Sequence, residues 1–164
     1  MEFRTATLDN LADIAMLFHA CWHISYADLL SAEVRTDMNL VEAENLWRPS
    51  LVDPKDKETV IGIMDSKLVS VFRIGSEKDN PSNGHLFSLY VDPKVAGKGL
   101  GKKSLSEAEL RLGKKGFKSM SLWVFEKNAI AKGLYQSFGF TPTGRSRVDE
   151  RWKETEVEMR KELT

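Results

Sequence analysis

Leu89-Tyr90-Val91-Asp92-Pro93-Lys94-Val95-Ala96-Gly97-Lys98-Gly99-Leu100-Gly101-Lys102 is the stretch from which the fold is read. It leaves a run with few polar residues, His85 to Val91, that reads as a strand buried on both faces. Asp92-Pro93 ends that run, and a helix of roughly four turns then extends to Leu112. Between strand and helix stand three glycines at alternate positions. Without Cβ atoms, the backbone at Gly97, Gly99 and Gly101 can approach a ligand closely and aim several N–H groups the same way. The helix that begins there adds the positive end of its dipole, and Lys98 and Lys102 add charge. The expected occupant is a phosphate or pyrophosphate, although a bare strand-to-helix turn without a ligand also fits. The ATP-type loop, G-x-x-x-x-G-K followed by Ser or Thr, fails here. Its register reads Ala96 at the first glycine and Lys103 at the hydroxyl. The dinucleotide pattern G-x-G-x-x-G fails as well, with Lys102 and Ser104 where its last glycine belongs.

Outward from the loop, residues 2–7 read as a strand. Leu8, Leu11, Ile14, Phe18 and Cys21 then fall on one helical stripe, with Thr7 or Asp9 as cap. A second helix is predicted over 31–47, capped by Ser31 and stopped by Pro49. Thr59–Met64 and Leu68–Ile74 form a hairpin around Asp65-Ser66. Gly75 to Gly84 is a loop, and residues 118–125 form a strand. Asn128 caps the next helix and Gly139 ends it. Two strands close the chain near 140–147 and 155–161. The order β-α-α-β-β-β-α-β-α-β-β describes one α/β domain with a mixed sheet over residues 1–164.

Composition narrows the partners. Lys plus Arg and Asp plus Glu both total 24, so the formal charge is zero. A nucleic-acid partner normally calls for a basic excess, so none is expected. Cys21 is the only cysteine, which rules out an intrachain disulfide and a cysteine-based zinc cluster. The first residues lack a signal-peptide pattern, and the apolar run from Ile14 to Trp22 is too short to span a bilayer. A soluble cytoplasmic domain without membrane attachment is expected.

A second motif lies downstream: Trp123-Val124-Phe125-Glu126-Lys127-Asn128-Ala129-Ile130-Ala131-Lys132-Gly133-Leu134-Tyr135-Gln136-Ser137-Phe138-Gly139-Phe140. Together with the glycine loop it resembles the GCN5-related N-acetyltransferase (GNAT) family, whose members bind acetyl-CoA. The two motifs span residues 85–140. Ala20-Cys21-Trp22-His23-Ile24-Ser25-Tyr26 is similar to the family's small-substrate branch, and the closing strand pair fits, so the resemblance covers nearly the whole chain. One departure stands in the loop. The family pattern has Gln or Arg, two residues, Gly, one residue, then Gly or Ala; this chain places Ala96 first, which removes one polar contact to the cofactor.

The resemblance implies a single GNAT-type α/β domain with a mixed, mostly antiparallel central sheet flanked by helices. It also implies direct acetyl transfer from acetyl-CoA to a small-molecule or peptide amine in a ternary complex, and members often form homodimers. Leu89, Tyr90 and Val91 would offer backbone to the pantetheine arm, with an N–H supporting the oxyanion. Gly97, Lys98, Gly99, Leu100, Gly101 and Lys102 would hold the pyrophosphate. Asn128 and Tyr135, seven residues apart, share one helical face. By resemblance Asn128 touches the cofactor arm and Tyr135 is the general acid, whereas Tyr135 read alone is a core aromatic. His85 falls where some members keep a glutamate base and titrates in the useful range. A surface histidine and a water chain are the competing readings. Phe18, Trp22 and Tyr26 recur every four residues; such a stripe reads as core, but the resemblance makes Trp22 and Tyr26 walls of the acceptor pocket.

His19 and His23 share a face, yet Ala20 stands where a zinc-protease helix needs Glu, so no metal is expected. Cys21 reads as a small buried hydrophobe lying away from both motifs, which disfavours an acyl-cysteine intermediate. Lys114-Lys115, Arg145…Arg147 and Glu154–Glu158 read as solvated charge. A non-catalytic acyl-CoA-binding regulatory module is the competing function: Ala96 favours it, and intact Asn128 and Tyr135 oppose it.

Overall fold

The structure is a computed structural model that describes residues 1–163. Its strands are β1 (Glu2–Thr5), β2 (Glu58–Met64), β3 (Lys67–Ser76), β4 (Gly84–Val91), β5 (Ser119–Phe125), β6 (Thr141–Val148) and β7 (Thr155–Glu162). They form one sheet in the order β1-β2-β3-β4-β5-β7-β6. Every neighbouring pair is antiparallel except β4–β5. That parallel pair is joined by α4 (Leu100–Lys114), as a parallel connection requires. The other helices are α1 (Leu11–Ala20), α2 (Ala32–Asp37), α3 (Leu40–Val52) and α5 (Ala129–Ser137). No helix among the described residues is long and apolar enough to cross a membrane.

Alternation along the strands sends side chains to two cores. Val60, Phe72, Ile74, Leu86, Met120 and Leu122 pack with Leu105, Ala108 and Leu112 of α4. On the opposite face, Ile61 and Val71 pack with Phe18, Trp22 and Trp47. Each such buried side chain contributes about 1.5–3 kcal/mol.

Three expectations change. The helix predicted over 31–47 is two helices: the chain leaves helical geometry at Met38, and the Asn39 side chain accepts the Glu42 N–H to start α3. Pro49 lies inside α3 instead of ending it. Its missing N–H costs one helical bond near the end of the helix, and the Pro49 carbonyl still accepts from Asp53. The third change concerns β4. Gly84, His85 and Leu86 are buried, but Phe87 to Val91 are only partly so. The reason is that β4 pairs with β5 only over Gly84–Leu86, opposite Met120–Leu122. Beyond that point the two strands part. On its other side β4 also slips register, with Ser88 opposite Arg73 and Leu86 opposite Ile74, leaving Phe87 as an extra, bulged residue. The bulge returns Leu89 to the same core as Leu86 and sends Tyr90 to the other.

Candidate active site

Where β4 and β5 part, they leave a cleft of about 230 Å³. Asn128, Ala131 and Tyr135 of α5 line it, with Leu89 and Tyr90 of β4. Asn128 starts α5 by accepting the Ala131 N–H at 3.0 Å. Seven residues on, Tyr135 is buried, and that burial pushes its phenol up to about 12. The cleft therefore brings together Asn128, Tyr135, Leu89 and Tyr90, as the two motifs imply.

Trp22 and Tyr26 reach the same cleft by an unexpected route. After α1 the chain widens into a π-helical turn, Cys21–Ser25, and Tyr26 closes it with its N–H on the Cys21 carbonyl at 3.1 Å. Such turns are rare and common at functional sites. This one sets the Trp22 and Tyr26 rings 5.3 Å apart. Tyr26 also stands between Tyr90 of β4 and Phe125 of β5, at centroid distances of 6.3 and 5.9 Å. Burial raises the phenols of Tyr26 and Tyr90 as well, so all three tyrosines keep their protons at neutral pH.

Cys21 is buried as expected, but it does not lie away from the motifs. Its Sγ donates to the carbonyl of Val91, the last residue of β4, at 3.1 Å. Burial pushes the thiol up to about 12.

The β6–β7 charges overturn the reading of solvated charge. Glu156 and Glu158 are buried, 9% and 4% exposed. Arg147 Nε donates to Glu156 Oε2 at 2.8 Å and Arg145 donates to Glu158 Oε1 at 2.9 Å. Glu158 and Glu156 stand opposite Trp123 and Phe125 of β5, on the sheet face of Tyr90. Both arginines lie over the Trp123 ring, Arg147 at 4.3 Å. Burial raises the Glu156 carboxyl, against the pull of Arg147. Sequence reasoning missed Glu156, Arg147, Trp123 and Trp152, all of which line the cleft. The usable signal was the period of two in Glu154, Glu156 and Glu158 against Arg145 and Arg147, which puts opposite charges on one face of a hairpin.

His85 lies elsewhere. It lines a second hollow, about 360 Å³, that shares Phe87, Trp123, Arg147 and Glu156 with the cleft. Its Nδ1 is 2.8 Å from Ser121 Oγ, which also accepts from Asn83 Nδ2 at 2.8 Å. Burial, with help from Arg147, lowers His85 to about 4. His85 is therefore neutral at pH 7 and a weak proton acceptor. The His19 and His23 rings lie 4.3 Å apart at a tilt, and His23 Nε2 lies 2.9 Å from the Met38 carbonyl oxygen. No cluster of three metal-binding side chains occurs among the described residues.

The glycines divide by role. Gly97 and Gly99 have φ of +81° and +73°, with open space where a Cβ would stand, so backbone conformation alone demands glycine there. Gly101 is different: a Cβ would come within 2.9 Å of Leu134 Cδ2. Its absence lets α4 pack against α5, beside Tyr135. Gly99 caps α4 without a side-chain hydrogen bond, so the first-turn amides stay available for an anion. Lys98 and Lys102 are exposed beside them, whereas the Leu100 side chain is buried and can offer only its backbone. An extended donor with a pyrophosphate fits this layout, its phosphates at the α4 end and its far end in the cleft.

Comparison with known proteins agrees. Residues 11–140 match the acetyltransferase (GNAT) family model. The N-acetyltransferase YuaI of Bacillus subtilis (strain 168) is 27% identical over 130 residues, covering 76% of this chain and 72% of that protein. The peptidyl-lysine N-acetyltransferase YjaB of Escherichia coli (strain K12) is 32% identical over 124 residues, covering 75% and 71%. The PaiA N-acetyltransferase of Thermoplasma acidophilum, solved with coenzyme A, superposes with a TM-score of 0.74 over 98% of each chain at 22% identity. The chain belongs to the GNAT family and is an N-acetyltransferase, with acetyl-CoA as the acyl donor of that family.

Proposed function

We propose that the chain moves an acetyl group directly from acetyl-CoA to a primary amine, with both substrates bound together. The observation that carries this is a cleft open to both faces of the sheet. Asn128 and Tyr135 border it from the side of α4 and α5; Tyr26, Tyr90 and Glu156 border it from the other. A donor laid along α4 and α5 and an acceptor arriving from the opposite face meet in the opening, which supplies proximity without a covalent enzyme intermediate. The state of Cys21 supports the same reading, because a buried thiol at about 12 holds no thiolate for attack at neutral pH.

Each remaining role falls to a group in the cleft. The unpaired edge of Phe87–Val91 offers N–H groups to the carbonyl oxygen as charge builds on it. Tyr135 holds a proton at neutral pH and donates a hydrogen bond, then the proton, to the departing sulfur. The amine, with a pKa near ~10, must shed a proton before its nitrogen bonds to the acyl carbon. Glu156 takes that proton: it borders both hollows, and burial makes its carboxylate a stronger base than usual. His85 lines only the outer hollow. The C–N bond forms and the C–S bond breaks. The ammonium loses two protons in all, one to Glu156 before attack and from there to solvent, the other as the tetrahedral intermediate collapses. That second proton balances the one that Tyr135 gives to sulfur. Peptidyl-lysine, the acceptor named for the E. coli relative, is an amine of this kind, as are small-molecule amines.

The test is initial-rate kinetics of thiol release, varying acetyl-CoA against a lysine peptide and a panel of small amines. Intersecting reciprocal plots, with Cys21→Ala still active, are expected. Parallel plots, or a dead Cys21→Ala variant that is folded, would overturn direct transfer. Tight CoA binding without thiol release on any amine would favour a regulatory module.

A further inference from the structure

Two cations on the acceptor side, Lys57 and Arg73, make no ion pair among the described residues, although Asp56 lies near both and Glu77 and Asp79 line the same hollow as Lys57. Lys57, just before β2, holds its Nζ 4.1 Å from the centroid of the Phe87 ring. It lines the outer hollow that joins the cleft through Phe87, Trp123, Arg147 and Glu156. Arg73 of β3 borders a shallow neighbouring hollow, also against Phe87, together with Trp47, Ser88 and Tyr90. Its Nε is buried and has no hydrogen-bond partner among the described residues. Among the described residues neither Lys57 nor Arg73 forms an ion pair, whereas Arg145 and Arg147 both do. Asp56, the carboxylate that acts on both, is engaged by the Ser76 hydroxyl at 2.5 Å. Burial lowers the pKa of Lys57 and of Arg73, and Arg73 lowers Lys57 further. Two cations that flank Phe87, partly desolvated and without an ion-pair partner among the described residues, are unfavourable as they stand and favourable once an anion joins them.

The surroundings set where that anion sits relative to the chemistry. Glu156, the proton acceptor for the amine, lies where cleft and outer hollow join. Phe87 and Trp123 line both spaces and offer an apolar surface between the Glu156 end and the Lys57 end. An acceptor that fills this path has an amine at one end, a hydrocarbon middle and a negative group at the other.

We propose that Lys57 and Arg73 form an anion subsite, and that the acceptor is a primary amine carrying a carboxylate or phosphate at its far end. The proposal rests on the acetyl-transfer reading and names its substrate class. It runs against polyamine acceptors, whose second cation would meet Lys57 and Arg73 with like charge.

The test compares 6-aminohexanoate, 6-aminohexyl phosphate, hexylamine and spermidine as acceptors in thiol release. The two anionic amines should exceed hexylamine in kcat/KM by roughly tenfold or more, the value of a charge-assisted contact. Lys57→Gln and Arg73→Gln should each bring that ratio towards one, and Lys57→Glu should reverse it. Equal or greater kcat/KM for hexylamine or spermidine would overturn the subsite while leaving acetyl transfer intact. If no probe releases thiol, acetyl transfer to such amines fails, and the subsite is read from binding instead. 6-Aminohexanoate should then raise the melting temperature of the CoA-bound protein more than hexylamine does, and Lys57→Gln should abolish the difference. No difference would overturn the subsite.

Discussion

Replacing Tyr135 with Phe removes one oxygen and leaves the ring, which makes it a clean perturbation of the cleft. That ring packs edge-on against Phe140, with centroids 5.8 Å apart, and only 8% of the residue is exposed. The phenyl group keeps this packing, and no cavity opens. Burial is the sole cause that raises the phenol to about 12, with no hydrogen bond to another side chain or backbone group contributing. Losing the hydroxyl therefore strands no partner, and stability should change by less than about 0.5 kcal/mol. Turnover is a different matter. A positioned general acid contributes ~10²–10⁴ in rate, roughly 3–5 kcal/mol of barrier. Thiol release followed at saturating acetyl-CoA should show kcat down by at least about 100-fold. KM for acetyl-CoA should stay close to the wild-type value if, as proposed, the donor is held at the α4 end. The wild-type enzyme should show no loss from Tyr135 ionisation until the pH nears 12. A Phe variant that folds normally and keeps more than about a tenth of the wild-type kcat would refute the acid role.

The other predictions concern base, buried histidine and loop. Glu156→Gln should remove the rising limb of kcat/KM against pH, since the base acts only when deprotonated and burial has raised its pKa; a profile with an unchanged rising limb would clear Glu156 of the role. His85 titrates at about 4 when folded and near 6.5 when exposed, so the unfolded chain takes up its proton first as pH falls. Its contribution is complete above pH 6.5 and is lost as pH falls towards 4, a difference of roughly 3 kcal/mol. Urea titrations of His85→Gln should show a flatter acid limb, and an unaltered limb would count against it. Gly99→Ala must hold a left-handed conformation and should cost about 1–2 kcal/mol with a raised KM for acetyl-CoA. Gly101→Ala meets only the mobile end of Leu134, so Leu134→Ala should recover much of its lost melting temperature.

How far the sequence reaches is clear from particular residues. The proposed donor half of the site is written in local pattern: glycines between a strand and a helix, then Asn128 and Tyr135 spaced to share one face. Backbone geometry and helical period are local properties, so they show in a contiguous stretch. Gly101 is the exception on that side, because its reason is a contact with Leu134, more than thirty residues on. The acceptor half is assembled from distant segments. Glu156 and Arg147 look like surface charge until β7 enters the sheet between β5 and β6, sets Glu156 opposite Phe125 and brings Arg147 over Trp123. Lys57 and Arg73 become neighbours only because β2 and β3 pair and Phe87 bulges beside them. The split of the predicted 31–47 helix was also open to a local reading, since Asn39 followed by Leu40 is an N-cap in the middle of an otherwise periodic run.

The opening between β4 and β5 is the least favourable part of the sheet, and its persistence needs a cause. From Phe87 to Tyr90 and from Trp123 to Phe125, neighbouring strands that begin as a ladder no longer pair with each other, and the Val91 carbonyl turns to Cys21 instead. Unpaired buried backbone is costly, so the strands would close unless something filled the gap. Tyr26 wedges one side of it, between Tyr90 and Phe125, and behind it Trp22 packs at a tilt against Trp152, their centroids 4.5 Å apart. The π-helical turn that presents Tyr26 is thus what holds the cleft open. Leu134 against Gly101 fixes α5 to α4 on the other face, so neither side can collapse into the gap. On the acetyl-transfer reading proposed above, the unpaired N–H groups of β4 are what an extended donor would pair with as an added strand, which would lead its far end towards Tyr135.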